Sequence, residues 1–227
     1  MQRKEKGCIS MKKALIIYGG WDGHTPKETG ALFAEILRGE GFEVTLSDTL
    51  DCLNDYEQIR QYDLFVPVWS MGEISWEQEN NICRAVEEGA GIAGCHGGMC
   101  NSFRNSTNWQ FMTGSQWVAH PGNDQAHYWV NLDKENPLTC GLEDFDLTSE
   151  QYYVHVDPAV KVCATTQFPV FEGPHSSNGT VTLPIAYTKY WGKGKVYYNS
   201  LGHTYEVFRD IPAAKEMMRR GFLWAVR

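Results

Sequence analysis

No two cysteines in this chain are spaced Cys-x-x-Cys, no apolar run approaches the ~20 residues of a membrane helix, and basic residues are outnumbered by acidic ones, 20 to 28. Each absence removes a class of protein. Seven cysteines, scattered and odd in number, make neither a disulfide framework nor a four-cysteine zinc site, and they fit a reducing compartment. A formal charge of -8 at pH 7 leaves no electrostatic footprint for nucleic acid or an anionic membrane surface. The opening MQRKEKGCISMKK is basic, but only ALIIY follows before Gly19, too short for the apolar stretch of a signal peptide. The expectation is a cytoplasmic protein with residues 1–11 as a flexible leader. Without a repeat, low-complexity segment or linker, residues 12–227 read as one domain.

What is present is an alternation of strand and helix signals. KALIIYGG (13–20) is a continuous apolar run ending in glycines, as expected of a strand covered on both faces. TPKE follows, with Thr25 placed as N-cap, Pro26 at the first helical position and Glu28 closing a capping box. FEVTLSD and DLFVPVWS (63–70) are further strands, with Pro67 marking a weak point or bulge in the latter. SWEQENNICRAVEEG is a helix with Trp76, Ile82 and Val86 on its buried side, and GIAGCHGG (91–98) is a fourth strand and its exit. Such alternation implies βαβ units and a parallel sheet between helices. The second half differs. Residues 99–125 are polar and loop-rich, and AHYWVNLD, VKVCATTQF, TLPIAYTKYW and KVYYNSLG are strands, the last two joined by the hairpin signal WGKGK. A helix over residues 211–226 closes the chain.

In open α/β sheets, ligands bind beyond the carboxyl ends of the strands. Three loops at that edge hold a histidine beside glycine: GGWDGHTP with His24, GCHGGM with His96 and NSLGHTYE with His203. Trp21, Asp22, Trp69, Arg104, His120, Glu150 and Tyr153 are the candidate walls. Their mixture of flat rings and forked polar groups suits a hydroxyl-rich ligand such as a sugar. Cys95 stands in a strand–turn–helix elbow, where a thiolate is stabilised, with His203 as base and Glu206 as its orienter. A small buried cysteine beside a strand is an equally ordinary reading. His24, His96 and His203 also have the ligand chemistry for a divalent metal such as zinc, although no HxxxH or HExxH spacing supports it. No nucleotide cofactor is expected.

The stretches GGWDGHTP, GIAGCHGG, NPLTCGLEDFDLTSEQYY and YWGKGKVYYNSLGHTYE resemble the ThuA-like (trehalose utilisation) family, within the class I glutamine amidotransferase-like superfamily. The resemblance spans about residues 12–227. It implies a flavodoxin-like three-layer sandwich with a mostly parallel central sheet, extra antiparallel strands and an elbow at Cys95. It also implies a part in carbohydrate catabolism, beside sugar dehydrogenases that make 3-keto-glycosides. The resemblance also implies that typical relatives keep a histidine at the place of His96 but usually not a cysteine at the elbow. The amidotransferase pattern is broken at Ala93, and Thr-Tyr-Glu follows His203, so glutamine hydrolysis is not expected.

Three functions remain open on these grounds. The first is an isomerase, lyase or hydrolase acting on a sugar or 3-keto-glycoside, with His96 and His203 moving protons and Glu206 or Glu150 setting their charge. The second is a thiol hydrolase or amidase using Cys95. The third is a non-catalytic sugar-binding or regulatory protein. A small-molecule carbohydrate is the expected partner, and a homodimer the expected assembly.

Overall fold

A computed structural model describes residues 11–227; apart from Met11, the expected leader lies outside the described residues. The first strand, β1 (Lys13–Gly20), sends Ala14 and Ile16 into one core and Leu15 and Ile17 into another. That division is what a strand needs when helices cover both faces. Then come α1 (Pro26–Gly39), β2 (Glu43–Ser47), α2 (Tyr56–Ile59), β3 (Leu64–Ser70), α3 (Trp76–Glu87), β4 (Gly91–Cys95) and the one-turn α4 (Gly97–Cys100). The second half runs α5 (Thr107–Thr113), β5 (Ser115–Ala119), β6 (His127–Leu132), β7 (Phe145–Thr148), β8 (Tyr153–Val156), β9 (Lys161–Phe168), β10 (Val181–Trp191), β11 (Gly194–Asn199), α6 (Glu206–Asp210) and α7 (Pro212–Ala225).

Nine strands form one sheet in the order β2-β1-β3-β4-β11-β10-β9-β6-β7, and β5 pairs with β8 separately. From β2 to β11 every neighbouring pair is parallel; from β11 to β7 every pair is antiparallel. This is the expected α/β sandwich, its parallel block extended by an antiparallel wing. Phe33, Phe208, Met217 and Phe222 of α1, α6 and α7 pack on one face, and Ile82, Val86, Trp109 and Met112 of α3 and α5 on the other. The chain leaves β1 outward to β2 and returns to β3, so the strand order reverses between them and opens a crevice at their carboxyl ends.

Two local expectations are corrected. Thr25 does not cap α1: its backbone is left-handed (φ 45°), and its Oγ1 instead accepts the Tyr205 N–H at 2.9 Å, tying the first loop to the last. Trp76 is 81% exposed, because the capping box of Ser75 and Gln78 starts α3 there and turns the first residue outward. Pro67 stands within β3, where the β3–β4 ladder has already ended at Phe65–Ile92, so its missing N–H costs that ladder nothing. Among the described residues, no helix is long and apolar enough to cross a membrane.

Candidate functional site

The apex of the turn after β4 is His96, not Cys95. His96 has φ 48° and ψ −142°, its N–H donates to the Asn199 carbonyl at 2.7 Å, and α4 begins at the next residue. Moving the reading frame by one position restores an unbroken Gly-x-His-x-Gly pattern at Gly94, His96 and Gly98. Close approach explains the glycine at 98, where a Cβ would lie 2.9 Å from Val68 Cα. At Gly97 a Cβ would lie 2.6 Å from Cε1 of His24, so glycine is what admits that ring.

Cys95 points the other way. It is 2% exposed, lies in the core with Phe33 and Phe208, and burial pushes its thiol well above the usual range. A thiolate is disfavoured there by desolvation, so the elbow presents no sulfur nucleophile to the cleft. Glu206 is also corrected. It opens α6 on the rim of a neighbouring cavity, and the carboxylate beside His203 is Glu150.

Glu150 is the hub. Its Oε2 lies 3.1 Å from His96 Nε2, 3.3 Å from His203 Nδ1 and 4.0 Å from His24 Nε2, and its Oε1 lies 3.8 Å from His120 Nδ1. Glu150 arrives on the buried connection Ser149–Tyr152 between β7 and β8. Tyr128 Oη donates to the Glu150 carbonyl at 3.1 Å, and Gln151 Nε2 donates to Thr166 Oγ1 and the Gln167 carbonyl at 2.9 and 2.8 Å. The first satisfies the buried Glu150 carbonyl, and the Gln151 side chain ties the same connection to β9.

The imidazoles are aimed from outside. His96 Nδ1 lies 2.8 Å from the Ser200 carbonyl, which only accepts, so Nδ1 carries the proton and Nε2 faces Glu150. His24 Nδ1 lies 2.7 Å from Ser70 Oγ, leaving Nε2 directed inward. Tyr152 stacks on His96, ring centroids 3.8 Å apart, and His24 meets His96 edge-on at 4.7 Å. Burial and the neighbouring His96 draw the His24 pKa down to about 3, and burial lowers that of His96 against the pull of Glu150. Burial alone would raise the Glu150 carboxyl, but the His203 and His96 imidazoles beside it outweigh burial and hold it well below the usual carboxylate range.

Above the cluster opens a cavity of about 400 Å³ with Trp21, Met71, Asn101, Trp117, His120, Asn123, Asp124 and Tyr152 in its walls, and His24, Glu150 and His203 at its floor. His96 is 2% exposed, with both ring nitrogens engaged, and so stands behind the floor rather than in it. That corrects its expected part as a proton carrier to substrate. Trp21, His24, His120, Glu150 and His203 of the expected walls and floor do meet here. Tyr153 does not, for its ring packs 5.1 Å from Phe168 while its neighbour Tyr152 takes the cavity face. Arg104 supports from behind, donating to the Trp117 carbonyl and lying 5.2 Å from that ring's centre. Trp69 packs across Gly19 and Gly72, and Asp22 is exposed on the short turn that carries His24. Ser70, Asn101, Trp117 and Tyr152 were not among the expected site residues.

A family model described as ThuA, trehalose utilisation, matches residues 13–225. No curated protein matches the chain. Among solved structures, a ThuA-like protein from Parabacteroides merdae is 18% identical with TM-score 0.72, aligned over 95% of this chain and 90% of that one. Another from Bacteroides uniformis is 19% identical with TM-score 0.71, over 94% and 90%. A cold-adapted β-galactosidase from Rahnella sp. R3 is 16% identical with TM-score 0.60, the match covering 95% of this chain but 30% of the enzyme. At these identities the likeness is one of fold.

Proposed function

The chain belongs to the ThuA family, trehalose utilisation, and from that premise we propose that it is an enzyme acting on a sugar or 3-keto-glycoside by moving a proton beside a carbonyl. The observation that carries this reading is the convergence of His24, His96, His120 and His203 on one buried carboxylate, Glu150, at the floor of an aromatic-walled cavity. The flat rings of Trp21, Trp117 and Tyr152 suit the C–H faces of a pyranose, and Asn101, Asn123 and Asp124 suit its hydroxyls. A second cavity of about 470 Å³ shares Asp124 and His203 with the first and has room for another sugar unit.

Roles follow from exposure. His203 and His120 are 18% and 26% exposed and face the cavity, so they are the groups that can reach a substrate proton. The Glu150 carboxylate beside them would stabilise the positive charge that forms on a ring as it takes up a substrate proton. His96 and Tyr152 hold Glu150 and the rings in place.

The test is solvent exchange and turnover on a panel of 3-keto-glucosides in deuterated water, read by NMR. Loss of His203 or His120 is expected to cut the rate ~10²–10⁴-fold, the usual weight of general acid–base catalysis. Saturable sugar binding with neither exchange nor turnover would replace the enzyme by a sugar-binding protein.

A further inference from the structure

The geometry points to a binding site for one divalent transition metal ion, of the zinc type, held by His24 Nε2, His96 Nε2, His203 Nδ1 and a Glu150 carboxylate oxygen. These four ligand atoms lie within 4.8 Å of one another. They come from four separate stretches of chain, which the ends of β1, β4 and β11 and the connection before β8 bring to one point. Three imidazoles and a carboxylate form a donor set of borderline softness, suited to zinc, cobalt or iron(II) rather than to magnesium or calcium.

The proton inventory argues for a cation more strongly than proximity does. The Ser200 carbonyl forces the His96 proton onto Nδ1, so a neutral His96 directs a bare lone pair at a carboxylate oxygen only 3.1 Å away. His203 Nδ1 is buried, lacks a hydrogen-bond partner and lies 3.3 Å from the same oxygen. With His24 and His203 in the tautomers that leave their inner nitrogens bare, the closely spaced nitrogens and oxygens face one another across a gap with their electron pairs inward. A cation at the centre of the gap satisfies them together, turning three neutral rings and one negative charge into a site of net charge +1. The alternative, protonated imidazoles, places two or more like charges on rings whose centres are 4.7 to 5.7 Å apart in a buried space. The outer bonds match as well. His96 bound to a carbonyl and His24 bound to Ser70 are the kind of partners that fix ring orientation and tautomer in metal centres.

The size fits. Metal–ligand bonds of ~2.0–2.1 Å at tetrahedral angles put ligand atoms ~3.3 Å apart. Two of the contacts to Glu150 already stand at 3.1 and 3.3 Å, and His24 at 4.0 Å needs only a small ring movement. The cavity opens on the His24, Glu150 and His203 side, where an oxygen of water or substrate can reach a fifth position. A cation there would polarise a carbonyl or acidify bound water. With His203 held by the cation, the proton-carrying role proposed above would fall to His120, whose buried Nδ1 also lacks a partner. The site is independent of which sugar reaction the cavity serves.

The experiment uses the full chain purified without a polyhistidine tag. Elemental analysis comes first, followed by removal of metal with a chelator and titration with cobalt(II), read by its visible spectrum. The expected result is one equivalent of cobalt per chain with an intense low-symmetry spectrum. Glu150→Gln and His96→Gln, checked for folding by circular dichroism, should weaken binding by more than ~100-fold, and Ser70→Ala by ~10–100-fold. A folded wild type that binds no zinc or cobalt overturns the site, as does binding that survives Glu150→Gln undiminished. Should the isosteric Glu150→Gln fail to fold, Ser70→Ala carries the same comparison. Metal binding without turnover of any keto-sugar leaves the site standing and removes the proposed reaction; turnover by a folded chain that binds neither zinc nor cobalt leaves the reaction standing and removes the site.

Discussion

Replacing Gly97 with alanine separates the fold from the site more sharply than removing any histidine. A Cβ there would lie 2.6 Å from His24 Cε1 and 3.0 Å from Ser70 Oγ, whereas carbon atoms in favourable contact sit ~3.5–4.0 Å apart. The His24 ring must withdraw by roughly 1 Å, and a misplacement of that size in a working site costs on the order of 100-fold in rate. Stability moves less. The Gly97 backbone is not left-handed, so alanine regains ~0.5–1 kcal/mol of chain entropy against ~1–3 kcal/mol for the crowded contact. The net loss is about 0–2.5 kcal/mol. Gly39→Ala is the control, since nothing lies within 4 Å of a Cβ at the end of α1; it should gain ~0.5–1 kcal/mol and leave the site untouched. Urea unfolding gives the first quantity, and cobalt titration with keto-sugar turnover gives the second. If Gly97→Ala binds and turns over like the wild type, the His24 ring is not held by that gap and the reasoning fails.

Other outcomes follow from the same geometry. Cys95→Ala should keep full turnover, and Cys95 in the native protein should resist alkylation near neutral pH; rapid labelling by iodoacetamide with loss of activity would restore the thiol. Tyr152→Ala should cost ~3–5 kcal/mol, as for other buried aromatics, because it unstacks His96; Tyr152→Phe should retain most of that stability in the same urea assay. Lys189 and Asp157 pair at 2.7 Å, 5% and 15% exposed, and the Lys189 hydrogen bond holds the Asp157 carboxyl below its ordinary value. A depressed carboxylate stabilises the fold above its unfolded pKa of ~3.9, and that stability is lost as pH falls through the lower folded value. Asp157→Asn should therefore flatten the acid side of the stability profile below about pH 4 and cost ~1–3 kcal/mol at neutral pH, since Lys189 loses its charged partner but keeps the Phe111 carbonyl; an unchanged acid limb would refute it.

The parts of the site that leave parallel strands were legible in the residues. His24, His96 and His203 each follow a strand run and stand beside glycine, and the rule for open α/β sheets puts such loops on one edge. Glu150 is legible as a wall residue and, beside Glu206, as a carboxylate that sets histidine charge, but not as the hub. It lies 54 residues from His96 on a connection without strand period, so nothing local ranks it above Glu206, which stands three positions from His203. Two errors were slips of one residue. Residue type drew attention to Cys95, while backbone geometry selects His96, the position with positive φ. Tyr153 rather than Tyr152 was assigned to the cleft, because strand alternation is ambiguous until the neighbouring strand fixes which face is which. The β5–β8 pair accounts for Trp117: its strand lies in a polar stretch, and its partner is more than thirty residues away.

The bond from Tyr205 N–H to Thr25 Oγ1 has a bearing on how the protein comes into being. The first four parallel strands are complete once residue 95 has been made, but β11, the next in spatial order, is not added until residues 194–199. His24, His96 and Glu150 therefore all wait for His203, until nearly the whole chain is present. Such non-local closure is slow, and no fragment ending before β11 can hold the assembled centre. Anything that binds the centre then favours the finished molecule over every shorter or partly folded one by mass action.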